Sequence, residues 1–243
     1  NGGTWWSFTT GAAFSSISSM DFEVSFPTGL WVAQDWNGAT GGLYYPAQRN
    51  CRSWMGTYSG WLIGGGTNGA ALACSPTTLY PDNASAWIVY GPFSTVGATY
   101  VQVDYFTWLD SDADSADDNL WFAAWDGANS PMGYTYYGSG VWYIGTENLD
   151  SPYYLCGNGT TSCMGKTNVY IAFGFVSDGD GVRDYEGAYV DEIFLRKCTS
   201  STCVTSPPFY SPVDALSLFE WPTLAVQAIR NILQPQPLSI PLP

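Results

Sequence analysis

The sequence predicts an all-β sandwich, and three observations lead to that prediction. Val169, Ile171 and Phe173 alternate with small or apolar residues over 168–177, so both faces of this run must be covered, as in a central core strand. A second strand-like run, 187–196, follows an acidic loop that contains glycine. Further alternating runs without a helical period lie at 70–74, 86–91, 99–109, 119–125 and 141–145, with turn-rich segments between them.

The two ends of the chain differ from this middle part. Residues 1–19 lack proline and charge, and they are long enough for a strand but too short for a domain. Between Met20 and Gln34, two short strands are expected around the turn at Pro27-Thr28-Gly29, and 36–66 is expected to form long loops. The predicted organisation is an N-terminal extension (1–19), a sandwich domain (20–198) and a C-terminal helix with an extended Pro-rich arm (199–243).

Within this frame, the segment SDG…G-x-YVDEIFL in 168–197 resembles the closing strands of jelly-roll accessory domains of secreted bacterial proteins. These are the MAM-like and choice-of-anchor domains, including those attached to immune-inhibitor-A-type metallopeptidases. DFEVSFPTGLWV at 21–32, SAWIVYGPFS at 85–94 and the hairpin at 99–127 are similar to earlier segments of the same family. The resemblance covers about residues 20–198, and it implies a jelly-roll (concanavalin-like) topology and a domain without catalytic activity.

The charge balance makes two classes of partner unexpected. The chain has 7 Lys and Arg residues against 21 Asp and Glu residues and no His, which gives a formal net charge of −14. Phosphate-rich partners are repelled by such a chain, so neither nucleic acid nor an anionic membrane surface is expected to bind. No apolar run reaches the roughly 18 residues of a membrane-spanning helix, so no membrane insertion is expected either.

The cysteines indicate an oxidising, extracellular compartment. Their spacing lacks the C-x-x-C pattern of zinc sites, and no histidine is present to complete a metal shell. Disulfides between sequence neighbours would close short loops, and a removed signal peptide would explain a chain that starts at Asn1. Asn83 and Asn158 stand in glycosylation sequons. The expected pairs are Cys51–Cys74, Cys156–Cys163 and Cys198–Cys203.

Catalysis is not expected. Without histidine, the Ser-His-Asp and Cys-His routes to an activated nucleophile are closed. The glutamates do not form the E-x-D-x-x-E arrangement of jelly-roll glycosidases, and Asp21 with Glu23 is interpreted as a structural pair on one strand face. No organic cofactor is expected.

An acidic loop, LDSDADSADDNL, is the candidate metal site. Carboxylate oxygens converging from a flexible loop suit calcium, although a solvated surface loop is the alternative. Asp178 and Asp180 in the loop SDGDG, or Asp191 beside it, are further candidates. The candidate calcium ligands in the acidic loop are Asp110, Asp112, Asp114, Asp117 and Asp118.

The aromatic residues suggest a glycan-binding platform, since aromatic rings stack on sugar rings. The chain has 12 Trp and 17 Tyr residues. Those in strands, namely Trp87, Trp108, Trp121 and Trp125, are predicted to be core. Those predicted in loops, namely Trp54, Tyr58, Tyr134, Tyr136, Tyr137, Tyr153 and Tyr154, are the candidate platform, or alternatively a subunit contact.

The terminal extensions favour a secreted structural subunit that assembles with itself into an extracellular filament or surface appendage. A strand added to an exposed sheet edge supplies main-chain hydrogen bonds, and head-to-tail addition makes polymers. The alternatives are a carbohydrate-binding or adhesive module and an accessory domain of a larger secreted enzyme.

Residues 4–17 are the preferred donor strand, because prolines remove N–H donors from the C-terminal arm. Trp6 and Phe8 point to one side of this strand and Trp5 to the other, so one face is more apolar than the other. The C-terminal helix and arm are expected to lie across a sandwich face, of the same or a neighbouring subunit, through Leu224, Ile229, Ile232 and Leu238.

Overall fold

The structure is a computed structural model that describes residues 14–37, 42–111, 118–128, 132–136, 139–151, 154, 156, 162–179, 181, 185–200, 203 and 238–239. These residues form strands and one short helix. In chain order they are β1 (Ser15–Met20), β2 (Trp31–Asp35), β3 (Tyr45–Arg49), β4 (Ser59–Gly65), α1 (Gly66–Gly69), β5 (Ser85–Phe93), β6 (Tyr100–Asp110), β7 (Asn119–Trp125), β8 (Met132–Tyr136), β9 (Ser139–Asn148), β10 (Val169–Val176), β11 (Gly187–Cys198) and β12 (Leu238–Ser239).

The strands form two antiparallel six-stranded sheets, which confirms the predicted all-β jelly-roll sandwich. Sheet A has the order β3-β4-β11-β6-β9, and β1 also pairs with β11. Because β11 is 12 residues long, it pairs with β4 at Tyr189 and Val190 and with β1 from Ile193 onward. Sheet B has the order β12-β8-β7-β10-β5-β2.

The main core lies between the sheets and is aromatic at its centre. Tyr105 of β6 stacks on Phe122 of β7 with ring centroids 5.8 Å apart and meets Phe173 of β10 edge-on at 4.8 Å. All three side chains are buried, and each contributes roughly 1.5–3 kcal/mol by leaving water. The alternation read in 168–177 therefore reports a true central strand.

Two strand glycines are required by rings that lie across them. A Cβ atom on Gly145 would stand 2.2 Å from Cζ of Tyr105, and a Cβ on Gly174 would stand 2.3 Å from Cε3 of Trp87. Neither distance is compatible with a side chain. These glycines thus mark close packing rather than turns.

A buried carboxylate links the two sheets near the β8 and β9 edges. Glu147 of β9 accepts hydrogen bonds from the hydroxyls of Tyr136 in β8 and Tyr154, and from Tyr105 at 3.5 Å. Burial raises the pKa of Glu147, and the three hydroxyl donors oppose that rise. The cluster therefore stabilises the sandwich through hydrogen bonds between sheets.

The prediction of long loops over 36–66 is wrong in part, because β3 and β4 lie there. The glycines of β4 made it resemble a turn-rich segment. In the structure, Gly60 is needed because a Cβ would stand 2.6 Å from the Phe22 ring, so its small size serves packing across the core. Pro46 lies where the β3–β4 register shifts, between Tyr45 and Ala47.

The predicted strand at 70–74 is also wrong. This segment forms turns after α1, and the guanidinium of Arg49 donates to the carbonyl oxygens of Gly64, Gly69 and Leu72 at 2.7, 3.2 and 2.7 Å. Leu72 is the one of these three residues that lies in 70–74, and its carbonyl oxygen binds a side chain instead of a neighbouring strand.

The boundary predicted at residue 20 lies too late. Ser15–Met20 is a strand of sheet A, and Ser15 pairs with Lys197 of β11. Met20 and Phe22 are buried in the main core, so the sandwich includes these residues. Residues 1–13 of the predicted extension, and 204–237 with 240–243 of the predicted helix and arm, lie outside the described residues.

The structure contains the three disulfides that the sequence predicted, Cys51–Cys74, Cys156–Cys163 and Cys198–Cys203. Cys156–Cys163 and Cys198–Cys203 close short loops, whereas Cys51–Cys74 encloses β4 and α1. Disulfides are typical of a chain that folds in an oxidising compartment. Within the described part of the chain, no helix has the length and apolar character needed to span a membrane.

Candidate ligand-binding face

The outer face of sheet A carries an accessible group of aromatic rings. Trp54, from the loop between β3 and β4, stacks on Phe106 of β6 with centroids 4.4 Å apart and planes 10° from parallel. Trp142 of β9 lies 6.3 Å from Trp54. Trp54 and Trp142 are half-buried, whereas Phe106 is covered. Trp54, Phe106 and Trp142 are called the tryptophan platform below.

Exposed apolar side chains extend the tryptophan platform along the sheet. Ile144 lies directly opposite Phe106 in the β6–β9 pairing and is 50% exposed. Phe194 of β11 lies opposite Asp104, two residues from Phe106 on the same face, and is 39% exposed. Met55, next to Trp54, is 46% exposed. Several exposed apolar side chains on one face of a domain are typical of a binding site.

Loop 51–58, which carries Trp54, is fixed from beneath by a buried carboxylate. Asp191 of β11 accepts the backbone N–H groups of Trp54 at 2.7 Å and Met55 at 3.3 Å through Oδ2. Its Oδ1 accepts the N–H of Glu192 at 2.9 Å. Burial raises the pKa of Asp191 to about 7, although the three N–H donors favour the charged form.

The position of Asp191 depends on a β-bulge in β11. The register with β6 shifts between Asp191 and Phe194, and Glu192 adopts φ of 49°, in the left-handed region. Such a bulge changes the direction in which the neighbouring side chains point. The alternation of side chains along β11 consequently breaks at Asp191 and Glu192.

A second carboxylate holds the far end of the same loop. Glu23 accepts the backbone N–H groups of Thr57 at 2.7 Å and Tyr58 at 2.8 Å through Oε1. Asp21 in turn accepts the N–H of Glu23 at 3.0 Å. Asp21 and Glu23 follow β1 and lie outside the strands, so the strand face predicted for them is wrong, and the pair instead forms a clamp that holds loop 51–58.

An ion pair and a disulfide fix the beginning of the loop. Arg52 donates to both carboxylate oxygens of Glu186, at 2.9 Å from Nε and 2.5 Å from Nη2. Its guanidinium lies 4.0 Å above the Trp108 ring. Cys51 is bonded to Cys74. Together with Asp191 and Glu23, these contacts hold the loop that carries Trp54.

Polar groups border the apolar part of this face. Asp104 accepts the Thr146 hydroxyl at 2.9 Å and the Gln102 amide at 2.7 Å, and it pairs with Arg196 at 2.9 Å. Burial raises the pKa of Asp104, against the effect of these donors. Thr146 is exposed, so its hydroxyl lies at the surface beside Ile144.

The outer face of sheet B carries a second aromatic cluster, which is buried. Trp36 stacks on Trp87 at 4.3 Å and meets Trp125 edge-on at 6.3 Å, and Trp125 stacks on Tyr170 at 5.3 Å. Trp87 is 0% exposed, and Trp121 and Trp125 are each 7% exposed. The predicted burial of these strand tryptophans is correct, but they belong to a cluster separate from the core between the sheets.

The predicted loop platform is therefore only partly assembled. Trp54 belongs to the tryptophan platform and Tyr58 is exposed on the same loop. Tyr136 is in β8 and Tyr154 is fully buried beside Glu147, so neither is part of an accessible platform. Tyr137 and Tyr153 lie outside the described residues, as does the Tyr134 side chain. Trp142, which lies in a strand, was missed because alternation does not show which sheet face is open.

Of the candidate calcium ligands, Asp110, Asp118, Asp178 and Asp191 are described. Asp118 and Asp178 come together, whereas Asp191 accepts the backbone N–H groups of Trp54, Met55 and Glu192. Asp118 is buried and accepts the Tyr80 hydroxyl at 2.5 Å and the Asp178 backbone N–H at 2.8 Å. Burial raises the pKa of Asp110, and Glu186 adds to that rise. Among the described residues, no group of three or more acidic or cysteine side chains is placed to hold a metal ion. Asp112, Asp114, Asp117 and Asp180 lie outside them, so the calcium site stays a prediction.

The remaining sequence predictions are placed as follows. Asn83 is exposed at a turn, where its N–H donates to the Asp178 carbonyl at 2.6 Å, and its glycosylation stays a prediction. Leu238 pairs with Gly133 at the edge of sheet B. The residues outside the described part are Asn158, Trp5, Trp6, Phe8, Leu224, Ile229 and Ile232.

No family model matches this sequence, and no curated protein does. The resemblance to MAM-like and choice-of-anchor domains therefore stays a prediction at the level of the family.

Solved structures of adhesin and carbohydrate-binding domains are similar to the chain. The K1 cleaved adhesin domain of Lys-gingipain from Porphyromonas gingivalis has a TM-score of 0.45 and 15% identity over 73% of this chain and 96% of that domain. A xylan-binding CBM22 domain has a TM-score of 0.41 and 14% identity over 76% and 96%. The CBM22-1 xylan-binding domain of Paenibacillus barcinonensis Xyn10C has a TM-score of 0.39 and 12% identity over 79% and 100%. Likeness at these TM-scores carries no argument about function.

Proposed function

We propose that this protein is a glycan-binding module of a secreted protein, and that the tryptophan platform on sheet A is its binding site. The observation that carries the proposal is the pair of half-buried rings, Trp54 and Trp142, with an exposed apolar border on the outer face of the sheet. Aromatic faces stack on the C–H faces of sugar rings, while the indole N–H can reach a hydroxyl.

The rigidity of the platform loop supports this function. Asp191, Glu23 and the Arg52–Glu186 pair hold loop 51–58 in place. A site that is ordered before binding avoids the entropy cost of ordering a loop around the ligand. This matters for a sugar, whose hydroxyls exchange hydrogen bonds with water for hydrogen bonds with protein at little net gain.

The charge around the platform favours neutral glycans. Asp104 and Asp191 lie under the same face, and Glu192 is half-buried beside Asp191. Burial raises the pKa of Glu192, and Asp21 and Glu23 raise it further. With a net charge of −14, the protein repels sulfated or uronate-rich chains. Neutral polysaccharides are therefore the proposed ligand class.

The test is a binding measurement with a panel of neutral and acidic oligosaccharides by isothermal titration calorimetry. Trp142→Ala is expected to weaken binding of a neutral ligand about tenfold or more, which corresponds to ~1.4 kcal/mol. Trp54→Ala is expected to have a similar effect.

Tyr143→Ala is the matched control, since Tyr143 is the next residue of β9, is 40% exposed and points to the opposite face. Equal losses from Trp142→Ala and Tyr143→Ala would contradict the assignment of the site. Absence of binding to every glycan in the panel would contradict the function itself.

Self-assembly through exchanged extensions stays a prediction with less support. Ser15 and Ser16, at the end of the predicted donor segment 4–17, pair with β11 of their own sheet A. That part of the segment is consequently engaged within its own domain. Electron microscopy of the native material distinguishes the two functions, since filaments require contacts between subunits and a glycan module does not.

A further inference from the structure

The outer face of sheet B is an apolar surface that is out of contact with water. Trp121, Ala123 and Trp125 of β7 form it together with Ala172 of β10 and Trp87 of β5. The partly buried hydrophobic residues packed against it in the described part are Trp36, Tyr170 and Val176. Trp36 contacts Trp87 and Trp125, which places it over only part of the face.

Trp121 is the most informative residue of this face. It is 7% exposed, and its indole Nε1 is buried without a hydrogen-bond partner. A buried indole N–H normally finds an acceptor, because an unpaired polar group loses its hydrogen bonds to water on burial. The face is thus covered, while the indole N–H of Trp121 still lacks an acceptor.

Two described residues near the C-terminus, Leu238 and Ser239, lie at the edge of this same sheet. Leu238 and Ser239 of β12 pair antiparallel with Gly133 and Met132 of β8, and β8 pairs with β7. The five peptide units that join Leu233 to Leu238 span at most ~18 Å. Neighbouring strands are about 4.8 Å apart, so a segment that ends at Leu233 reaches β7 and β10 from β8.

The sequence of segment 222–233 suits an apolar surface. Its apolar residues include Leu224, Ile229 and Ile232, while Gln227 and Asn231 are spaced as one polar stripe of a helix. Twelve helical residues extend about 18 Å, which is the width of four neighbouring strands. An apolar face of this length needs a partner in water.

We propose that the outer face of sheet B is the docking surface for segment 222–233 of the same chain, delivered by the pairing of β12 with β8. The apolar face of the segment then covers Trp121, Ala123 and Trp125, and its polar stripe faces water. Docking of this kind removes an aromatic face from the solvent and leaves sheet A as the accessible face. The inference is independent of the glycan-binding proposal.

The test compares two variants of the full chain by hydroxyl-radical footprinting. One variant combines Leu224→Asp, Ile229→Asp and Ile232→Asp, and the control adds the same three charges at Gln227→Asp, Asn231→Asp and Gln234→Asp. Oxidation of Trp121 and Trp125 is expected to rise severalfold in the first variant and to stay at the wild-type rate in the control. Unchanged oxidation in a folded first variant would overturn the proposal.

A photo-cross-linking experiment covers the case in which the first variant fails to fold. The full chain with Ile229→p-benzoylphenylalanine is irradiated as a mixture of nitrogen-14 and nitrogen-15 protein. Cross-links are expected between the peptide that contains position 229 and peptides of β7, β10 or β5, with both peptides carrying the same nitrogen isotope. Cross-links between labels would overturn same-chain docking in favour of a second copy, and cross-links away from sheet B would overturn the docking surface itself.

Discussion

The two outer faces of the sandwich both carry tryptophans, but they present them differently. On sheet A, Trp54 and Trp142 are half-buried beside exposed Ile144, and the loop that holds Trp54 is fixed by carboxylates. On sheet B, Trp87 and Trp121 are buried in an apolar cluster. Under the proposed function, aromatic area on sheet B stabilises the fold, whereas aromatic area on sheet A is available to a ligand.

The largest expected effect separates these two roles directly. Trp87→Ala removes a fully buried ring that lies over Gly174 and under Trp36, so unfolding free energy is expected to fall by about 3–5 kcal/mol. Trp142→Ala removes a half-buried ring and is expected to cost about 1 kcal/mol. Urea denaturation measures both losses. Equal losses of unfolding free energy in the two variants would contradict the different roles assigned to the two faces.

The next largest effect tests the anchor of the platform loop. The double variant Cys51→Ser with Cys74→Ser removes a disulfide between residues separated by 23 positions in the sequence. A disulfide that closes a loop of this length stabilises the folded state by about 3 kcal/mol. Denaturant unfolding measures this loss. Glycan affinity is expected to fall as well, because Arg52 and Trp54 lie just after the crosslink. The double variant Cys156→Ser with Cys163→Ser is the control that should leave affinity intact.

The effect expected from Asp191 depends on pH and is smaller when counted per pH unit. Its pKa is about 7 in the folded protein, above the ordinary value of 3.8, so the folded state holds a proton that the unfolded state releases between these values. Unfolding free energy is therefore expected to fall as pH rises from about 4 to about 7, by at most ~1.4 kcal/mol per pH unit.

Asp191→Asn cannot release this proton, so it should flatten that part of the stability curve. Guanidinium unfolding at a series of pH values provides the measurement. A variant whose unfolding free energy falls more steeply with pH than that of the wild type would show that burial does not raise the pKa of Asp191.

The smallest expected effect concerns the second clamp. Glu23→Ala removes the acceptor of the Thr57 and Tyr58 amides near the surface, where water replaces part of the loss. Stability is expected to fall by about 0.5–1.5 kcal/mol, with a modest loss of glycan affinity. Asp82→Ala, at a half-buried site outside loop 51–58, is the comparison, and an affinity loss as large as that of Glu23→Ala would argue against a clamp.

The sequence predicted the strands that alternate cleanly and missed those whose composition is set by packing. β7 was predicted at its observed bounds, and β6 and β10 within one residue, because each alternates along a buried sheet. β4 was missed because Gly60 and its neighbours are small to admit rings from across the core. Such glycines cannot be told from turn glycines without the partner strand.

The candidate site was harder to predict than the fold. Trp54 was singled out because its segment was expected to be a loop, but Trp142 lies in a strand and its accessibility depends on which side of sheet A stays uncovered. The role of Asp191 depends on a bulge and on amides more than 130 residues away in sequence, at Trp54 and Met55. No pattern in the local sequence predicts a contact between residues so far apart in the chain.

The most direct test of ligand binding on sheet A is a titration followed by the indole N–H signals of nitrogen-15-labelled tryptophan. With a neutral oligosaccharide that binds, shifts are expected at Trp54 and Trp142, whose rings form the tryptophan platform. The signals of Trp87, Trp121 and Trp125 are expected to stay in place. Shifts confined to those three, with Trp54 and Trp142 unchanged, would contradict the assignment and place the ligand on sheet B.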